Sequence, residues 1–266
     1  MKIGCCIDWR NRAALTACRD CGLDYVELSL QALAEAEEEE INALAALLEE
    51  WNLPCYAVNC IFPPALRVTG DSVDIAAIDA YLKQALRKAA PLSPKVMVFG
   101  SGAARQVPEN YPFTKAWDQL YRLLFHHIAP AMRRSDMTCA VEALHVGECN
   151  ILVTCREAME LIGQVDSPRV GLLVDLYHLH MAGEDPDSLS AYQGKIVHAH
   201  IASTENSRHF PKEGDGENYR YDLKCLVRAG FGEGALSLEA VPQGPFQQNL
   251  MDAVTCLKRA TPQATD

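Results

Sequence analysis

Residues 170–201, VGLLVDLYHLHMAGEDPDSLSAYQGKIVHAHI, contain two short apolar runs, 170–175 and 195–201, parted by a helix-like stretch. Runs of this length, rich in Val, Ile and Leu and separated by helical periodicity, read as one βαβ unit with parallel strands. The same alternation extends outward in both directions. Further strand-like runs lie at 3–8, 24–28, 54–59, 95–99, 138–142 and 235–239. Eight such runs predict a closed (β/α)8 barrel, an α/β fold that needs about 250 residues. The 266 residues suit one such domain over 1–266, with 261–266 (TPQATD) expected to fray. Between the runs, 32–52 (ALAEAEEEEINALAALLEEWN) and 75–90 have helical propensity and apolar positions three or four apart, as outer helices should. The acidic run 35–40 reads as the solvated face of the first of these. No internal repeat or shift in composition divides the chain.

Composition narrows the function. Hydrophobic residues make up 49% and charged residues 22%, an ordinary globular balance. The formal net charge is −11 and no Lys/Arg-rich run occurs, which argues against nucleic acid and against anionic membrane surfaces, and favours a small-molecule substrate. Eleven cysteines lack the paired spacing of a disulfide framework or zinc ribbon. The lone Cys18-x-x-Cys21 falls in a helix-like stretch and carries no chemistry of its own. The opening MKIGCCID has no charged and apolar leader pattern, and no apolar run reaches 18 residues, so a cytoplasmic location is expected.

Four consecutive predicted strands end in, or just beyond, a side chain able to bind a metal: Glu142 in AVEAL, Asp175 in LLVDL, His200 in VHAHIA and Glu239 in LSLEAV. One such residue is readily a solvated strand end or a helix N-cap. Four in series, at intervals of 33, 25 and 39 residues, each close to one strand, helix and loop, should converge on one rim of the barrel. Carboxylates with one imidazole suit a single divalent ion such as Mn²⁺, Mg²⁺, Co²⁺ or Zn²⁺, and the lack of cysteine ligands argues against structural zinc. His198 and His200 face the same way on one strand. His200, nearer the carboxyl end, is the ligand candidate, and His198 is expected deeper in the interior. His126 and His127 read as surface or helix residues. The longest irregular stretches, 100–111 and 203–219, follow predicted strands and so point to substrate contact.

These residues resemble the xylose isomerase-like barrel superfamily, in its sugar (phosphate) isomerase/epimerase branch, over essentially the whole chain. EALHVGECN (142–150) is similar to the family's fifth-strand segment, with a second glutamate, Glu148, six residues after the ligand. VDLYHLH places His178 three residues after Asp175. HAHIA, then Arg208 and Pro211, then GDG and SLEAV, resemble the end of these barrels, and FGSGAAR (99–105) the loop after strand four. Arg208 follows His200 by eight residues, a longer interval than in the family's ketose 3-epimerases. The resemblance implies a metal-dependent isomerase acting on a sugar or keto-sugar through an enediolate. In it Glu142 and Glu239 are ligands and proton-transfer groups, and Glu148, His178 and Arg208 are substrate contacts. It also implies association into dimers or tetramers.

Other outcomes stay open at this stage. Proton abstraction beside a carbonyl ends in elimination as readily as in reprotonation, which would make a lyase or dehydratase. A non-catalytic sugar-binding barrel would keep the same ligands. An endonuclease of the same superfamily would need more histidine ligands and a basic track. Arg208, Lys212 and the Gly214-Asp215-Gly216 turn lie where some barrels bind phosphate, but Glu205, Glu213, Asp215 and Glu217 flank them. An unphosphorylated sugar fits that charge balance at least as well.

Overall fold

The computed structural model describes residues 1–205, 208–215 and 217–262. Among them, eight parallel strands close into a barrel in chain order: β1 Lys2–Ile7, β2 Tyr25–Ser29, β3 Cys55–Asn59, β4 Val96–Phe99, β5 Thr138–Glu142, β6 Val170–Asp175, β7 Ile196–Ile201 and β8 Ala235–Leu238. The chain is thus a (β/α)8 barrel, as the alternation of apolar runs predicts. Strands β4, β6 and β8 are buried at every position, because helices cover one face and the barrel interior the other. That double burial is why they read as unbroken apolar runs. Residues 263–266 of the expected frayed tail lie outside the described residues.

Helices form where short polar side chains can satisfy the first free backbone N–H groups. Asp74 caps the helix Ile75–Ala89, whose Ile78, Leu82, Ala85 and Ala89 face inward, and Thr154 caps Cys155–Val165. The expected helix over 32–52 is two helices, Leu30–Glu35 and Glu38–Glu50. The break has a local cause. The Glu37 backbone N–H donates to Glu40 Oε2 at 2.9 Å and the Glu37 side chain accepts from the Glu40 backbone, a reciprocal cap that starts a new helix inside the acidic run. The glutamates of that run are exposed, as a solvated face requires.

His126 and His127 sit on a helical surface, in the widened turn Leu123–Ile128, and His127 Nδ1 lies 2.7 Å from Asp79 Oδ1. All eleven cysteines are unpaired. Among the described residues no helix is long and apolar enough to cross a membrane.

Two strand ends also begin helices. Ser29 closes β2 and caps Leu30–Glu35, and Asp175 closes β6 and caps Leu176–Met181. Register then fixes the height of the polar residues: Asp175 pairs with His200, and His200 with Ser237. Glu239, the first residue beyond β8, hydrogen-bonds through its backbone N–H to Ile201 O at 3.1 Å. Glu142 ends β5. All four therefore arrive at the carboxyl end of the barrel, where such folds build their sites.

Candidate metal centre and substrate cavity

Ligand-capable atoms of Glu142, Asp175, His200 and Glu239 all lie within 4.8 Å of one another. His200 Nδ1 is 3.1 Å from Glu239 Oε2 and 3.5 Å from Glu142 Oε1. Asp175 divides its carboxylate between two tasks. Oδ1 accepts the Tyr177 backbone N–H at 2.8 Å as a helix cap, and Oδ2 turns into the cluster, 2.8 Å from Arg208 Nη2. A capping aspartate and a ligand candidate are here one residue, so the two readings of a polar strand end are compatible.

The donor set fits a divalent ion. Glu142 Oε1 is buried and has no hydrogen-bond partner, an orphan acceptor that burial makes costly unless a cation faces it. Three carboxylates and one imidazole are a hard-to-borderline set. His200 has the second partner typical of ligating histidines: its Nε2 lies 3.0 Å from Glu27 Oε1, which leaves Nδ1 on the cluster side.

Electrostatics agree with that fit. Burial pushes the Glu142 carboxyl up to about 7, reinforced by Glu239 and only partly opposed by His200. Burial raises Asp175 too, against the pull of Arg208. Burial alone would push His200 down, but Glu27 and Glu239 outweigh it and hold the imidazole well above the usual range. A cation among the same oxygens would take the place of the Nδ1 proton and let Glu142 ionise.

Arg208, although eight residues beyond His200, reaches the same point. Its Nη2 contacts Glu239 Oε2 and Asp175 Oδ2, its Nε donates to Glu239 O at 3.0 Å, and its Nη1 donates to Glu148 Oε1 at 3.3 Å. Its guanidinium also packs over the Tyr177 ring at 5.0 Å. His178 is buried, and burial followed by the nearby Arg208 charge lowers it to about 3, so it is a neutral imidazole. It accepts from Arg208 Nη1 at Nε2, 3.2 Å away, and its Nδ1 lies 2.9 Å from His145 Nδ1. His145, Glu148 and His178 form a second group of close donors. Arg208 supplies the positive charge there.

Glu142, Glu148, His178, Arg208 and Glu239 all line one cavity of about 240 Å³, together with Gln31, Asn59, Phe62 and the Gly100–Ala104 loop. The structure thus brings the sequence-derived site residues together. Lys212 is exposed and lies off the cavity. Its backbone N–H bonds Asp215 Oδ2 at 3.1 Å, so the described part of that turn folds onto its own carboxylate. Gly216 lies outside the described residues.

Glu27 and Gly100 are among the residues that escaped the sequence reading. Glu27 is fully buried in β2; its only signal is a carboxylate inside the apolar run YVELS. Gly100 gives Glu142 its room, since a Cβ there would fall 2.2 Å from Glu142 Oε2. Gly100→Ala is therefore expected to displace that carboxylate and weaken Mn²⁺ binding by about tenfold or more, at the lower end of the range for disturbing a ligand's support. Calorimetric titration of the variant checks this, and unchanged affinity would show that Glu142 does not need its present position.

The sequence profile described as xylose isomerase-like TIM barrel matches residues 15–260. A probable ketose 3-epimerase from Synechocystis sp. is 29% identical over 119 residues, which span 44% of this chain and 38% of that protein. A 3-keto-D-glucoside 4-epimerase from E. coli superposes with a TM-score of 0.81 at 15% identity, over 97% of this chain and 99% of that one. A D-psicose 3-epimerase from Clostridium cellulolyticum H10, solved with D-tagatose, gives 0.78 at 16%, over 98% and 95%. At these identities the structural likeness speaks for the fold.

Proposed function

This chain belongs to the xylose isomerase-like TIM barrel family, and from that premise we propose that it is a divalent-metal-dependent sugar epimerase or isomerase. The proposed reaction moves a proton at the carbon beside a carbonyl, through an enediolate. The observation that carries this reading is the convergence of Glu142, Asp175, His200 and Glu239 at one point, with Glu142 and Glu239 lining a cavity of about 240 Å³. The partial match to a probable ketose 3-epimerase supports the same chemistry.

Held by these four residues, a divalent ion would supply Lewis acidity toward the carbonyl and adjacent hydroxyl of a sugar. The side chains do the rest. Glu142 and Glu239 both line the cavity and come from strands three apart in the barrel. One removes the proton and the other returns it. With a cation beside it Glu142 would be ionised, and so able to take up a proton from carbon. Arg208, neutral His178 and Glu148 then offer donors and acceptors to the substrate's oxygens.

An unphosphorylated sugar fits best. Arg208 is the one Lys or Arg side chain among the described residues lining the cavity, and Glu239, Asp175 and Glu148 already share it. A phosphate would have to compete with three carboxylates.

Incubating the Mn²⁺-loaded protein with a panel of free ketoses tests the proposal. The expected product is an epimer or isomer of unchanged mass, with turnover insensitive to added inorganic phosphate. A product lighter by one water would replace the reading with a dehydratase. Tight sugar binding without any turnover would replace it with a non-catalytic barrel.

A further inference from the structure

Directly beneath the four donors the barrel interior is polar, where such barrels usually stack branched apolar side chains. Glu27, midway along β2, has no exposed surface, yet three side chains meet its carboxylate. His200 Nε2 lies 3.0 and 3.2 Å from its two oxygens, His198 Nε2 lies 2.8 Å from Oε2, and Ser237 Oγ donates to Oε2 at 2.6 Å. Tyr25 Oη is 2.9 Å from Ser237 Oγ and carries the chain of bonds from β8 back to β2. Gly4 makes this layer possible, because a Cβ there would fall 2.2 Å from the Tyr25 ring.

A neutral imidazole carries a single N–H. When His200 spends it at Nε2 on Glu27, Nδ1 is left with a lone pair, and Nδ1 is the atom facing Glu142 and Glu239. His198 obeys the same rule: its Nε2 is engaged by Glu27, while its buried Nδ1 has no hydrogen-bond partner. Ser237 and His198 pin Glu27 from two further strands, β8 and β7, so the carboxylate cannot follow His200 if that ring turns.

We propose that Glu27 is a positioning residue that fixes the ring orientation and tautomer of His200 for binding a divalent cation through Nδ1. This inference rests on the metal-centre reading given above. A merely structural Glu27 would hold the strands together and leave the His200 tautomer alone.

The test compares the full chain, Glu27→Gln and Ser237→Ala, each labelled with ¹⁵N-histidine. Mn²⁺ affinity is measured by chelator competition, and histidine tautomers by two-bond ¹H–¹⁵N correlation, with His200 identified by its shift on adding Zn²⁺. Glu27→Gln is expected to bind Mn²⁺ about 10- to 100-fold more weakly and, with Zn²⁺ bound so that Nδ1 carries no proton, to lose the pure Nε2–H form of His200. Ser237→Ala, which keeps the charge, should show a smaller weakening. Wild-type affinity in Glu27→Gln overturns the proposal, as does weaker binding with an unchanged tautomer. If Glu27→Gln does not fold, Ser237→Ala decides: a weakened affinity supports the proposal and wild-type affinity overturns it. Absence of Mn²⁺ binding by the unmutated chain would instead overturn the metal centre itself.

Discussion

Glu142→Gln is expected to lower turnover by about 10²- to 10⁴-fold, the range for loss of a positioned acid–base group. The substitution keeps the shape of the side chain and one oxygen, but it cannot carry a proton to or from carbon. Its cost to the fold should be small, because Glu142 Oε1 has no hydrogen-bond partner to lose. A fall in metal content would divert the effect through ligation, so Mn²⁺ must be quantified alongside rate. Reduced turnover at full metal occupancy assigns Glu142 to proton transfer. Wild-type turnover with the metal retained would remove it from the reaction.

Stripping divalent ions with EDTA is expected to abolish turnover and to lower the melting temperature, both restored by Mn²⁺. The cause is the same cluster. Three carboxylates within reach of one another repel, and a bound cation stabilises the native state that assembles them. With free ion at 100 times its Kd, binding contributes about 2.7 kcal/mol. For a chain of 266 residues that corresponds to roughly 5 °C. Thermal scans before and after chelation read it directly. Identical activity and melting in both states would mean that no ion takes part.

Much of this site was legible in the sequence because its residues break a pattern. The strands of a barrel are buried on both faces, so Glu142, Asp175 and His200 stand out as polar ends of apolar runs, and Glu239 as the polar residue just after one. Arg208 was identified by similarity to relatives; its place beside Asp175 depends on the path of a loop that spacing does not determine. Glu27 was hidden for the opposite reason. Inside YVELS it looks like an outward residue of an ordinary strand, and only closure of β1 through β8 brings it against His198, His200 and Ser237. The break between the helices at 30–35 and 38–50 was equally hidden, since glutamates are good helix formers and also, at 37 and 40, good caps.

The most direct test is proton exchange at carbon. The Mn²⁺-loaded chain is incubated in D2O with the ketose panel, and deuterium is followed at the carbon beside the carbonyl. Deuterium entering that position, and lost in both Glu142→Gln and Glu239→Gln, is the predicted result. Bound metal with no exchange on any of the sugars would contradict it.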